Sequence, residues 1–213
     1  MATLTAGAPL LSAQNRNTVP LFNVASGAGT TEVCVSGDYA YQARGSAGVS
    51  VVRISGAGAP AYVGSIQPYQ GVGNTDIQDV ETVGNILYVG NEVPNNSATP
   101  HTGLFMYDLA ANPVNPPLVG TITWGAGPGY HLGASLHNFC IDVSAGRTYA
   151  YIASAISNAV EVFDVSNPAL PEYKDALRPP AGIYGLIWGS VHDVTVRNGV
   201  CVSTWLDGGF AIH

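Results

Sequence analysis

His137-Asn138-Phe139-Cys140-Ile141, Tyr149-Ala150-Tyr151-Ile152-Ala153, Val160-Glu161-Val162-Phe163-Asp164-Val165, Ser166-Asn167-Pro168-Ala169-Leu170-Pro171-Glu172-Tyr173: between His137 and Asp175 four short runs are separated by turn residues. Each run is long enough for a strand and too short for an ordinary helix. The unit is the most complete copy of a pattern that recurs along the chain.

The first run, strand a, aligns with Glu32-Val33-Cys34-Val35, Asp79-Val80-Glu81-Thr82 and Asp193-Val194-Thr195-Val196. Tight turns follow at Ser36-Gly37-Asp38, Gly84-Asn85, Ser144-Ala145-Gly146-Arg147 and Arg197-Asn198-Gly199. Gly and Asn supply the positive φ that short hairpins demand. Strand b comes next, at Tyr39-Ala40-Tyr41, Ile86-Leu87-Tyr88, Tyr149-Ala150-Tyr151 and Val200-Cys201-Val202. Strand c follows at Gly48–Val52, Gly103–Tyr107, Ala159–Phe163 and Gly209–His213. Asp, Ser and Pro turns then lead to strand d at Ala61–Gly64, Pro117–Gly120 and Glu172–Asp175. Four antiparallel strands per copy, repeating about every 50 residues, predict an all-β chain of propeller blades rather than a self-similar β-sandwich.

The pattern Tyr149-Ala150-Tyr151-x-Ala153, Val160-x-Val162-x-Asp164-Val165-Ser166-x-Pro168 resembles the LVIVD-repeat family of β-propellers. The openings His137-Asn138 and His192-Asp193 resemble the choice-of-anchor B domains of bacterial surface and secreted proteins. The resemblance covers about residues 31–213. It implies a propeller fold and an extracellular or cell-surface location, and carries no general activity to transfer. The first copy departs from the pattern, with Arg53 in the Asp position and Gly-Ala-Gly in place of the Ser-x-Pro turn.

The expected organisation is a tail over 1–17 and propeller repeats over 18–213. The copies lie at about 31–66, 78–122, 137–175 and 192–213, and residues 18–24 are a candidate closing strand. Two arrangements are open. One is a closed ring of four blades, with Pro20-Leu21-Phe22-Asn23-Val24 completing the blade that ends at His213. The other, which we favour, is part of a ring of six to eight, which would leave apolar blade faces uncovered.

Composition agrees with strands. The chain has 26 Gly and 14 Pro, and Val, Ile, Tyr and Thr dominate the apolar runs. Only 10% of its 213 residues are charged, the net charge is -7, and Lys174 is the single lysine. No basic stripe is present, which argues against nucleic acid as a partner. No run approaches the ~20 apolar residues of a membrane-spanning helix. Met1–Asn17 lacks the basic and apolar regions of a signal peptide. Cys34, Cys140 and Cys201 are widely spaced and form no C-x-x-C, so they read as small apolar residues.

Strand direction sorts the loops. Loops from d to a and from b to c share one end of the blades, and a-to-b and c-to-d turns share the other. Length variation is confined to the first set, with the longest loop at Gly90–Thr102. The same loops carry aromatic residues at Tyr69, Trp124, Tyr130, Tyr184 and Trp188. Variable loops on a rigid scaffold are where recognition is expected. The ligand-face candidates are therefore His131, His137, His192, Trp124, Tyr130, Tyr184, Trp188 and Trp205. Aromatic caps on the blade ends are the structural alternative.

Strand a is the innermost strand of a propeller blade, so Glu32, Asp79, Asn138 and Asp193 are expected to ring the channel mouth. Thr31, Gln78, His137 and His192 precede them. Glu32, Asp79, His137, His192 and Asp193 are candidate ligands for one divalent cation, calcium if oxygen donors dominate and a transition metal if imidazoles join. The alternative is that these side chains satisfy backbone groups where blades meet. Elbow, zincin, phosphate-loop and dinucleotide motifs are all missing from the chain. The expected function is a non-enzymatic binding or surface-display module whose ligand is a carbohydrate or a protein. The competing expectation is a metal-dependent hydrolase or lyase.

Overall fold

Short hairpins build the molecule. Gly37 and Gly84 turn with φ of 55° and 58°. Ala145-Gly146 and Asn198-Gly199 turn with both residues positive, the conformation that matches the twist of paired strands. The computed structural model describes residues 29–68, 75–92, 102–123, 136–154, 159–178, 191–206 and 208–213. They form fifteen strands in four antiparallel sheets, and no helix among them is long and apolar enough to cross a membrane.

The first sheet contains β1 (Val33–Ser36), β2 (Tyr39–Ala43), β3 (Val49–Arg53) and β4 (Ala61–Ile66). The second contains β5 (Ile77–Val83), β6 (Ile86–Asn91), β7 (Gly103–Asp108) and β8 (Leu118–Thr123). The third contains β9 (Leu136–Ser144), β10 (Arg147–Ser154), β11 (Ala159–Asp164) and β12 (Glu172–Leu177). The fourth contains β13 (Val191–Arg197), β14 (Val200–Trp205) and β15 (Gly209–Ile212). Strands are hydrogen-bonded in chain order within each sheet, so each is a meander, the form of a propeller blade. The candidate closing strand at 18–24 lies outside the described residues.

The c-to-d turns close as their residue types predict. Asp164 Oδ1 accepts from the Ser166 N–H (3.0 Å), and Asp108 Oδ1 accepts from the Ala110 N–H (2.9 Å). Arg147 pairs with Asp164, whose carboxyl is held down to about 2, chiefly by its hydrogen bonds to Ser166. In the first blade Arg53 replaces that Asp, and its guanidinium donates to the Ala57 carbonyl (3.0 Å). A register shift recurs between strands c and d at Val51/Val52, Met106/Tyr107 and Val162/Phe163, which are equivalent positions. Recurrence at one place marks a built feature of the blade.

Consecutive blades pack face to face around one axis through three apolar clusters. The first joins Tyr41, Val49 and Val51 to Val80, Leu87 and Phe105. The second joins Tyr88, Leu104 and Met106 to Phe139, Ile152 and Phe163. The third joins Val160 and Tyr151 to Val191, Val194 and Trp205. Burying each such side chain contributes about 1.5–3 kcal/mol. Backbone approach is close as well. A Cβ on Gly120 would lie 1.8 Å from the Pro168 carbonyl oxygen of the next blade, so only glycine fits there. The inner strands β1, β5, β9 and β13 pack in sequence, β1 and β13 do not pack in the same way, and among the described residues the sheets do not close into a ring.

Candidate functional site

Four inner strands converge on an axial cavity of about 350 Å³. Its polar lining comes from every blade: Glu32, Asp79, Glu81, Asn138, Asp193 and Thr195. All four residues expected at the channel mouth therefore reach one space. Glu81 joins them because side chains two apart on a strand share a face, which also made it readable from the sequence beside Asp79.

Two of these carboxylates are already engaged. Asp79 Oδ2 accepts from the Phe139 N–H and Glu81 Oε2 from the Ile141 N–H, both at 2.9 Å. They tie the second blade to the third, the role that the structural alternative assigns. Burial is the main reason that their acidity falls: the Asp79 carboxyl is pushed up to about 6 and that of Glu81 to about 7. Glu32 and Asp193, whose charges add to the effect on Asp79, are exposed and cross no blade boundary. Glu32 Oε1 accepts from Val33 N–H (2.8 Å) and Asp193 Oδ1 from Val194 N–H (2.7 Å). Asn138 Oδ1 is buried without a hydrogen-bond partner.

The histidines owe their positions to a backbone device. In three inner strands one residue is skipped by the pairing register: Gln78 between Ile77 and Asp79, His137 between Leu136 and Asn138, and His192 between Val191 and Asp193. Each is the extra residue of a β-bulge, which re-aims its side chain at the mouth. The rings of His137 and His192 lie 4.5 Å apart, centroid to centroid, tilted by 57°. His137 Nδ1 donates to Glu92 Oε2 at 2.8 Å. That hydrogen bond is the main reason that the imidazole titrates above its ordinary range, with burial acting against it. Behind the pair, the Glu92 N–H donates to the Asp76 carbonyl (2.8 Å), and burial raises the Asp76 carboxyl.

Glu92 is the residue that sequence reasoning missed. It begins the long loop after β6, beside the mouth, and position in that loop was the available signal. Of the residues expected to hold a cation, Asp79 is bonded through Oδ2 to a backbone N–H and His137 through Nδ1 to Glu92. Among the described residues no three His, Cys, Asp or Glu side chains converge to hold a metal ion. Trp205 is corrected from ligand face to core: it is 3% exposed, and its Nε1 donates to Ser203 Oγ (3.0 Å). Alternation places it on the packed face of β14, against the third blade. His131, Trp124, Tyr130, Tyr184, Trp188 and Tyr69 lie outside the described residues. All three cysteines are free, and burial pushes the Cys34 and Cys140 thiols up to about 12 and that of Cys201 to about 11.

Two stretches of the chain match the LVIVD repeat model, residues 28–67 and 141–176. They correspond to the first blade and to most of the third. No curated protein matches. Among solved structures, the chain is similar to the computationally designed Ika4 protein, with 11% identity, coverage of 89% of this chain and 92% of that one, and a TM-score of 0.51. It is similar to the β-propeller domain of Myceliophteria thermophila Cps50 (Swd1), with 11% identity, 86% of this chain and 53% of that one, and a TM-score of 0.54. A putative 6-phosphogluconolactonase from Bacteroides fragilis gives 17% identity, 74% and 42% coverage, and a TM-score of 0.52. The chain thus spans about half the length of the latter two. At these identities the likeness establishes the fold alone: the chain is a β-propeller module carrying LVIVD repeats.

Proposed function

We propose that this β-propeller module is a non-enzymatic binding protein that takes its ligand across the loop-rich face, over the axial mouth. The observation that carries the reading is the axial cavity to which all four blades contribute acceptors. Ionised carboxylates only accept hydrogen bonds, so such a mouth favours ligands rich in donors. Carbohydrate hydroxyls fit this description, and so do the ammonium and guanidinium groups of a protein surface. Glu32 and Asp193 are the side chains free for the task, because Asp79 and Glu81 hold the blades together.

A glycan array and a cationic-peptide array, probed with the wild-type chain and with a Glu32→Gln/Asp193→Asn variant, test the reading. The expected result is a ligand whose affinity falls roughly tenfold in the variant, a change of about 1.4 kcal/mol. Ligands bound equally by both proteins would place recognition elsewhere and sink the proposal. An extracellular or cell-surface location belongs to the same reading. It is supported by the likeness of the His-Asn and His-Asp openings to choice-of-anchor B domains and by the single lysine. Labelling of unpermeabilised source cells with an antibody checks it.

One observation favours a second reading. An imidazole held through Nδ1 by a carboxylate, as His137 is by Glu92, has the arrangement of a general base. In a hydrolase or lyase His137 would take a proton at Nε2. A divalent cation, calcium or a transition metal, would rest on the axial carboxylates alone. Elemental analysis after purification without chelators separates the two readings. Stoichiometric metal, lost on Glu32→Gln/Asp193→Asn substitution, supports the enzyme, and metal-free protein counts against it.

A further inference from the structure

The second blade turns its forward face to the third, and the outer rim of their seam holds a cavity of about 410 Å³. It shares no lining residue with the axial cavity. Its floor is Ile122 and Phe163, 3% and 0% exposed. Its rim carries Thr121, Ala169, Leu170 and Glu172, and Leu170 is 70% exposed.

The seam between the first and second blades shows why the space is there. Asn112 and Asn167 hold equivalent c-to-d turns: the Oδ1 of each accepts from the N–H two residues on, Val114 at 2.9 Å and Ala169 at 3.2 Å. Val114 lays a methyl on strand d of the preceding blade, where a Cβ on Gly64 would lie 3.1 Å from Val114 Cγ1. Ala169 has no such methyl, and its turn, 165–171, is one residue shorter than 109–116. At this seam the Pro168 carbonyl meets Gly120 instead, and the space beside it stays open.

The lining selects the molecule that fits. An apolar floor with one aromatic wall suits a ring stacked on Phe163, and the volume is that of a small-molecule site. The rim is acidic. Glu172 Oε2 accepts from Lys174 Nζ at 2.6 Å, on a side chain that is 68% exposed. Such a surface pair is weak, and a carboxylate has a second oxygen to offer. A ligand cation therefore gains a partner there, whereas an anion would be repelled.

We propose that this cavity is a second binding site, for a small aromatic amine, with its ring between the two blades on Ile122 and Phe163 and its ammonium on Glu172. Tryptamine is the probe. Titrated into the wild-type chain and followed by amide NMR, it is expected to bind saturably at millimolar concentration or below and to shift Thr121, Ile122 and Leu170. Indole keeps the ring and lacks the ammonium, and is expected to bind about tenfold more weakly. Ala169→Val restores the valine of the first seam, fills the cavity and is expected to weaken tryptamine about tenfold or more. Glu172→Gln leaves the seam packing untouched and is expected to erase the preference for tryptamine over indole. Shifts centred on the axial mouth, or a titration that does not saturate, would overturn the proposal. So would wild-type affinity in both variants.

Discussion

The seam between the second and third blades and the forward face of the fourth are built from the same repeat positions, yet their environments are opposite. At the seam Leu104 and Met106 are fully buried, Phe139 and Phe163 pack on them, and two carboxylates bridge to backbone N–H groups. On the fourth blade Phe210 and Ile212 stand largely in solvent. The difference teaches that a blade's strand pattern specifies a sticky face without specifying what meets it. Burial, and the energy that comes with it, is a property of the pair of blades.

The largest effect is expected at the centre of the seam. Phe139→Ala removes a ring that is 1% exposed, and should lower unfolding free energy in urea by about 3–5 kcal/mol. Leu104→Ala should cost about 2–5 kcal/mol, and its equivalent on the open face, Phe210→Ala, about 0.5 kcal/mol or less. If the two substitutions proved equally costly, the contrast between covered and open faces would be broken.

Acidity gives a second handle on the seam. Glu81 and Asp79 titrate near 7 and 6 in the folded chain, above their ordinary values of 4.5 and 3.8. Folding then favours the protonated forms. The resulting stability is complete below the ordinary values and is lost as pH rises through the folded ones. Urea unfolding should show stability falling between about pH 4.5 and 7 by on the order of 4–5 kcal/mol. Glu81→Gln should flatten most of that slope, and a profile rising over this range would contradict the seam chemistry described here. Asp79→Ala should cost about 1–3 kcal/mol at pH 7, since it leaves the buried Phe139 N–H without an acceptor. Asp193→Ala, at the open position, should change stability by less than about 0.5 kcal/mol.

The smallest expected signal is spectroscopic. In an NMR titration the His137 imidazole should lose its proton above the usual histidine range, held by Glu92, and His213 below it, through burial. Glu92→Gln should bring His137 down while leaving His213 in place. The His137 contribution to stability is present at acid pH and lost as pH rises through its folded value.

Much of this architecture was legible in the chain because β-structure writes a short-range code. Alternation in Val160-x-Val162, Gly and Asn at hairpin corners, and Asp-Ser-Pro turns are local requirements, and the fold satisfies each where the sequence places it. The channel ring was legible for the same reason: once Glu32, Asp79, Asn138 and Asp193 occupy one repeat position, symmetry carries them to one axis. Trp205 misled because position near a loop says nothing about which face of β14 it takes in three dimensions. Glu92 went unread because its partner, His137, lies 45 residues away.

By itself, then, the sequence determined the blades: their strands, their turns, their order and the residues that point at the axis. Only the tertiary structure decided which of those residues are spent. Hydrogen bonds and burial are relations between segments far apart in the chain. Asp79 and Glu81 became clamps on the third blade because Phe139 and Ile141 present N–H groups there. Glu32 and Asp193 stayed available because no neighbouring blade claims them. The bulges at His137 and His192 brought two imidazoles to one mouth, a register choice made by strand pairing.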